Sequence, residues 1–178
     1  MRLPDLLPPA LLPAAELGAL RLDGEVYRVG SSWRPVDLPE TAEARADALA
    51  VELGTAVVAD RETAAWLHGA RASPPTPLTA CVPISARVAV GKRPGVEVRE
   101  LRLRDFELVR MGVLRVTDAA STAVDLLRRD EWDRHARETV SVLLAQCGAD
   151  EVRERLGDRR FAAFRSRTLA RLEELGAE

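Results

Sequence analysis

Histidine, cysteine and lysine are nearly missing from this chain, which holds two His, two Cys and one Lys in 178 residues. His68 and His135 belong to no HxxxH or HxH group, and Cys81 and Cys147 form no CxxC. A zinc site needs three or four such ligands at short spacing, so no metal is expected. The two thiols are far apart in sequence and are read as unpaired and buried in a reducing cytoplasm. Long apolar runs are also lacking. None reaches the roughly 18 residues that span a bilayer, so no membrane association is expected. The opening MRLPDLLPPALLP is interrupted by Pro4, Pro8, Pro9 and Pro13 and has neither the basic start nor the cleavage site of a secretory signal.

Catalytic patterns are scarce too. Gly30-Ser31-Ser32 is faintly similar to the Gly-Ser element of nucleotidyltransferases, but only Asp37 follows, without the second carboxylate that metal-assisted phosphoryl chemistry requires. Lys92, the sole lysine, follows Val90-Gly91, so the spaced acid of a PD-(D/E)xK nuclease is missing. GxGxxG, P-loop and GxSxG motifs do not occur. The sequence therefore reads as a non-enzyme without catalytic residues, metal or cofactor.

What is present suits one α/β domain. Apolar residues make up 47% of the chain, enough to bury a core without staples. A short helix is expected near Pro13 to Ala19, followed by a hairpin in which Asp23-Gly24 forms a two-residue turn between Leu20–Leu22 and Glu25–Val29. That hairpin would put Arg21 and Arg28 on one face. Ser31 to Leu38 reads as a linker. Ala42, Ala46, Leu49, Ala50 and Leu53 fall at helical spacing, with Gly54 as the stop. Thr55 to Ala59 reads as a strand, and Asp60 as the cap of a helix from Arg61 to His68. Strands are expected at Leu78 to Ile84, Val96 to Leu103, with a bulge near Arg99 or Glu100, and Gly112 to Val116. Three helices then close the chain. The first has an apolar stripe of Ala120, Ala123, Val124 and Leu127 and a polar stripe of Asp118, Ser121, Thr122, Asp125, Arg128 and Arg129. The second repeats Trp132, Ala136, Val140, Leu143 and Cys147, and the last Phe161, Phe164, Thr168, Leu172 and Leu175. Thr117 or Asp118 is expected to cap the first of them, and His68 to bond a free carbonyl at its helix end.

Charge is unevenly spread. Up to Leu53 there are 5 Arg against 9 acidic residues; from Gly54 to Arg110, 9 basic against 6 acidic. Within that basic middle, Arg87, Lys92, Arg93, Arg99, Arg102 and Arg104 cluster on two strands and their connection, interleaved with Glu97, Glu100 and Asp105. Such a patch suits phosphates or an acidic partner as well as a solvated face. Arg153, Arg155, Arg159, Arg160, Arg165, Arg167 and Arg171 have acidic neighbours and read as a solvated helix surface.

Three stretches carry a resemblance. Glu16 to Arg28 (ELGALRLDGEVYR) is similar to the shortened N-terminal hairpin of actinobacterial AbiEi-like proteins. Thr63, Trp66 and Gly69 in TAAWLHG resemble their T-A-A-W-x-x-G element. Thr117, Thr122 and Asp125 in VTDAASTAVDLL resemble V-T-x-x-x-R-T-x-x-D-L, with Ser121 where many members carry Arg. These are the antitoxins of type IV toxin–antitoxin, or abortive-infection, systems of phage defence. The resemblance implies an α/β (α+β) fold, a mixed sheet flanked by helices. It divides the chain into a truncated winged-helix-like region, 1–37, and an AbiEi-like antitoxin domain with C-terminal helices, 38–178. It implies a cytoplasmic regulator that counters a nucleotidyltransferase-type toxin without a lasting complex and represses its own promoter, acting as a homodimer. Weak DNA contacts would come from Arg21, Arg28, Arg99, Arg102 and Arg104, since a winged helix needs cations for phosphates and the N-terminal segment is acidic. The alternative is a protein-interaction module of the same family without DNA affinity.

Overall fold

The computed structural model describes residues 4–84, 93–157 and 164–176. Helix α1 (Ala14–Leu22) opens the fold and strands β1 (Val26–Val29) and β2 (Ser32–Pro35) follow as a hairpin. This corrects the expected N-terminal hairpin. Leu20 to Leu22 are helical, and Asp23-Gly24 closes α1 instead of turning a strand. Gly24 sits at φ +74, its N–H donates to the Arg21 carbonyl, and the Glu25 N–H donates to that of Leu20. A left-handed glycine suits a helix end as well as a hairpin, and the helix claimed it. The hairpin turn is Gly30-Ser31, inside the stretch read as a linker. Leu7 pairs with Trp33 beside it, and Leu7, Leu17 and Val26 form a small core.

The main sheet has five strands in the order β5-β4-β3-β7-β6: β3 (Val58–Ala59), β4 (Leu78–Pro83), β5 (Val96–Leu101), β6 (Leu108–Met111) and β7 (Leu114–Thr117). It is mixed, with β3–β7 and β4–β5 parallel and β3–β4 and β6–β7 antiparallel. The register of β4 and β5 is unbroken from Leu78↔Val96 to Pro83↔Leu101, so the expected bulge is absent. The change of apolar phase is resolved by ending the strand at Leu101. β6 was not anticipated. Its tight turn to β7 requires Gly112, at φ +51, where a Cβ would meet Asp47 Oδ1 at 2.1 Å.

Helix α2 (Ala42–Leu53) covers one face, burying Ala46, Leu49 and Leu53 completely against Val57, Ala59 and Val116. Thr41 accepts from the Ala44 N–H at its start. Helix α3 (Arg61–Leu67) ends at Gly69, φ +78, with Gly69 N–H to Trp66 O and Ala70 N–H to Ala65 O. Among the described residues the C-terminal helices are four where three are expected: α4 (Ala119–Leu127), α5 (Arg134–Cys147), α6 (Ala149–Leu156) and α7 (Arg165–Gly176). Their core joins Val124, Leu127, Val140, Leu143, Leu156 and Leu172, each fully buried. Burying a Leu or Val side chain contributes about 1.5–3 kcal/mol, so these stripes hold the helical layer to α4. Cys81 is buried and Cys147 half-buried, and they are unpaired. Phe161, Arg159, Arg160, Arg87 and Lys92 lie outside the described residues.

Candidate functional site

The polar stripe of α4 is built into the protein. Asp118 is the N-cap, accepting from the Ser121 N–H at 2.7 Å. Its second oxygen takes a charge-assisted bond from Arg155 Nη2 at 2.7 Å, and Arg155 Nη1 donates to Ser121 Oγ at 2.8 Å. Arg155 belongs to α6, and its guanidinium lies over the ring of Phe106 at 4.8 Å. It therefore holds a cation against Ser121. The reading of Arg155 as a solvated side chain is corrected: both it and Asp118 are 14% exposed. Arg171 is also inward-turned, donating to the carbonyls of Leu127 and Arg129.

The second half of the stripe meets the sheet. Arg99 Nε donates to Asp60 Oδ2 at 2.6 Å, and Nη2 donates to Asp125 Oδ2. Asp60 was expected to cap α3, yet its side chain makes no cap bond. Arg61 begins the helix at φ +44, a strained value for a side-chain-bearing residue. The Asp60 carboxylate is fully buried and faces Arg99. Burial pushes the Asp125 carboxyl above its usual range, and Arg99 only partly opposes it. Arg99, lowered by burial but held more strongly by Asp125 and Asp60, ends above its usual value. Burial also pushes the Cys81 thiol up beside Asp60. An Asp–Arg–Asp cluster of this kind locks α4 to β3 and β5.

The family-motif residues divide between packing and this network. Thr63 Oγ1 accepts from the Thr79 N–H at 2.6 Å, and Thr79 Oγ1 donates to Asp60 O, which ties α3 to β4. Trp66 is buried under Arg45, 5.2 Å from its ring. Thr117 and Thr122 share a hydroxyl bond of 2.7 Å. His68 Nε2 donates to the Thr117 carbonyl at 2.8 Å, and burial lowers its imidazole below the usual value, against the pull of that carbonyl and of Asp118.

A cleft of about 360 Å³ opens beside the network, between Leu101 and Leu103 on one side and Thr117, Ser121, Asp125 and Arg128 on the other. The exposed Arg102 is part of its lining, and Arg104 stands beside Phe106, 5.7 Å from the ring. Arg93, by contrast, caps α2 through the carbonyls of Glu52 and Leu53. Arg21 and Arg28, both exposed, sit on α1 and β1, not on one hairpin face. Among the described residues no group of His, Cys, Asp or Glu is placed to hold a metal. The contribution of α6 was missed, although Val152 and Leu156 at i, i+4, with acids in its first turn and arginines in its last, were the available signal.

The class this defines is an α+β domain in which a mixed five-stranded sheet is locked to a helical layer through the polar face of α4. The chain belongs to the AbiEi antitoxin family, for the model of the AbiEi antitoxin C-terminal domain matches residues 55–175. That membership supports an antitoxin role in abortive infection. The chain is also similar to a solved structure, the RV2827C protein from Mycobacterium tuberculosis, with 15% identity and a TM-score of 0.48 over 98% of this chain and 76% of that one. No curated protein matches it. No helix among the described residues is long and apolar enough to cross a membrane.

Proposed function

We propose that this protein is the antitoxin of a type IV system that counters a nucleotidyltransferase-type toxin and represses its own operon from the cytoplasm. Residues 38–178 form the antitoxic body in this reading, and residues 1–37 a reduced winged-helix-like element. The observation that carries it is the family match across the α/β body and the helical layer. An α-helix followed by a two-stranded hairpin, α1-β1-β2, stands ahead of that body in the order of a recognition helix and wing. Arg21, Arg28, Arg102 and Arg104 are the exposed cations assigned to phosphate. Arg99 belongs to the same set, with its contribution limited by Asp60 and Asp125. A homodimer would double these contacts.

The test is co-expression with a nucleotidyltransferase-type toxin, taken from the operon of this chain where its gene adjoins one. Rescue of growth is expected, and undiminished toxicity with soluble antitoxin present would refute the assignment. An interaction module without DNA affinity is the second reading, favoured by the acidic balance up to Leu53 and by the burial of Arg34, which donates to the Pro39 carbonyl.

A further inference from the structure

A second cleft, of about 400 Å³, lies away from α4, where the β1–β2 turn meets the α/β body. Its apolar lining comes from Leu49, Leu78, Pro74 and Pro75. Its rim carries one cation and one anion, Arg28 and Glu52. Arg28 donates through Nε to the Gly30 carbonyl at 2.8 Å, which fixes the guanidinium and leaves both Nη groups without a partner among the described residues. Glu52 Oε1 accepts the Ser31 N–H, and the turn is pressed so close that a Cβ on Gly30 would stand 2.5 Å from that oxygen. Arg28 and Glu52 therefore bond the two ends of one peptide group, the Gly30 carbonyl and the Ser31 N–H. The Ser31 hydroxyl is buried without a hydrogen-bond partner, although buried hydroxyls are normally satisfied.

A cation and an anion bonded to the two ends of one peptide group, beside apolar side chains, match a zwitterion that bears an apolar side chain. A carboxylate takes a two-pronged bond from the Arg28 Nη groups, as arginine geometry favours. An ammonium reaches Glu52. Leu49, Leu78 and the two prolines receive the side chain. We propose that this cleft binds a free α-amino acid with an apolar side chain, and that binding clamps the β1–β2 turn onto α2. Its volume is at the lower end of small-molecule sites and suits a ligand of that size. The proposal does not rest on the antitoxin reading, and its test uses no toxin or DNA.

Calorimetric titration of the full chain with L-leucine and L-phenylalanine should show saturable binding and a rise in Tm. Isocaproate, lacking the amine, and isoamylamine, lacking the carboxylate, should each bind at least about tenfold more weakly. Glu52→Gln keeps an oxygen for the Ser31 N–H while removing the charge, so it should fold normally and lose at least about tenfold in affinity. Arg28→Gln should lose as much. The proposal is overturned if neither amino acid binds wild type, if isocaproate or isoamylamine binds equally well, or if both variants, folded by circular dichroism, retain full affinity.

Discussion

Arg155 on α6 reaches back 37 residues to hold Asp118, the N-cap of α4, with Nη2 and Oδ2 2.7 Å apart. The same carboxylate thus ends a helix and anchors another, so its removal acts twice. Loss of the cap costs about 1 kcal/mol, and leaving Arg155 without its buried partner adds to that. Asp118→Ala is expected to lower unfolding stability by about 2–4 kcal/mol in urea titrations. Asp118→Asn, which can still accept from the Ser121 N–H, should lose less. Equal losses in the two variants would mean that the cap contributes nothing.

The Arg99 cluster predicts a pH dependence of definite sign. Asp125 titrates above its ordinary value of 3.8 in the folded protein, so the native state holds a proton that the unfolded chain has released. Stability from this group is full below 3.8 and falls as pH rises through the folded value. Asp125→Asn should flatten that segment of the stability–pH curve. Arg99→Met removes the cation between two buried carboxylates and should cost about 3–5 kcal/mol at neutral pH. Part of that loss should return in the Arg99→Met, Asp125→Asn double variant.

His68 gives the opposite slope. Its imidazole is held below 6.5 by burial, so it is neutral when folded and gains a proton on unfolding. Its contribution is full above 6.5 and is lost as pH falls from there toward the folded value. His68→Gln should remove this acid sensitivity, measured by thermal melts from neutral to mildly acidic pH. A wild-type protein whose Tm is flat across that range would contradict the neutral, carbonyl-bonded imidazole.

Local periodicity carried much of the fold, and long-range pairing carried much of the site. Leu49, Val124 and Leu127 were legible from spacing alone and are fully buried. The ambiguous signals were those that serve two structures equally. Asp23-Gly24 fits a hairpin or a helix end, and only the packing of Leu17 against Leu7 and Val26 decides between them. The partners of the polar stripe of α4, Arg99 and Arg155, come from 26 and 34 residues away. No periodicity within α4 encodes either. β6 was missed because Leu108–Met111 alternates poorly and is an edge strand, with only β7 beside it.

The final prediction concerns DNA, and the arrangement of arginines sets its terms. Most described arginines in the body are tied to carboxylates or carbonyls, as Arg45 is to Glu40, Arg61 to Glu97 and Arg129 to Glu62. Among the described residues of the N-terminal element Arg34 is buried, which leaves Arg21 on α1 and Arg28 on β1 as the exposed cations there. Each phosphate neutralised on duplex DNA contributes a slope of about −0.9 in log K against log salt. Two arginines from each of two copies would give about −3 to −4, a modest dependence beside a full winged-helix dimer. The expected outcome on the protein's own upstream DNA is therefore weak, salt-sensitive binding. The paired Arg21→Ala and Arg28→Ala substitutions should abolish it while co-expression rescue persists. Tight binding that survives both substitutions would move the DNA surface to Arg102 and Arg104 at the sheet cleft. Rescue without any binding would make the chain an interaction module.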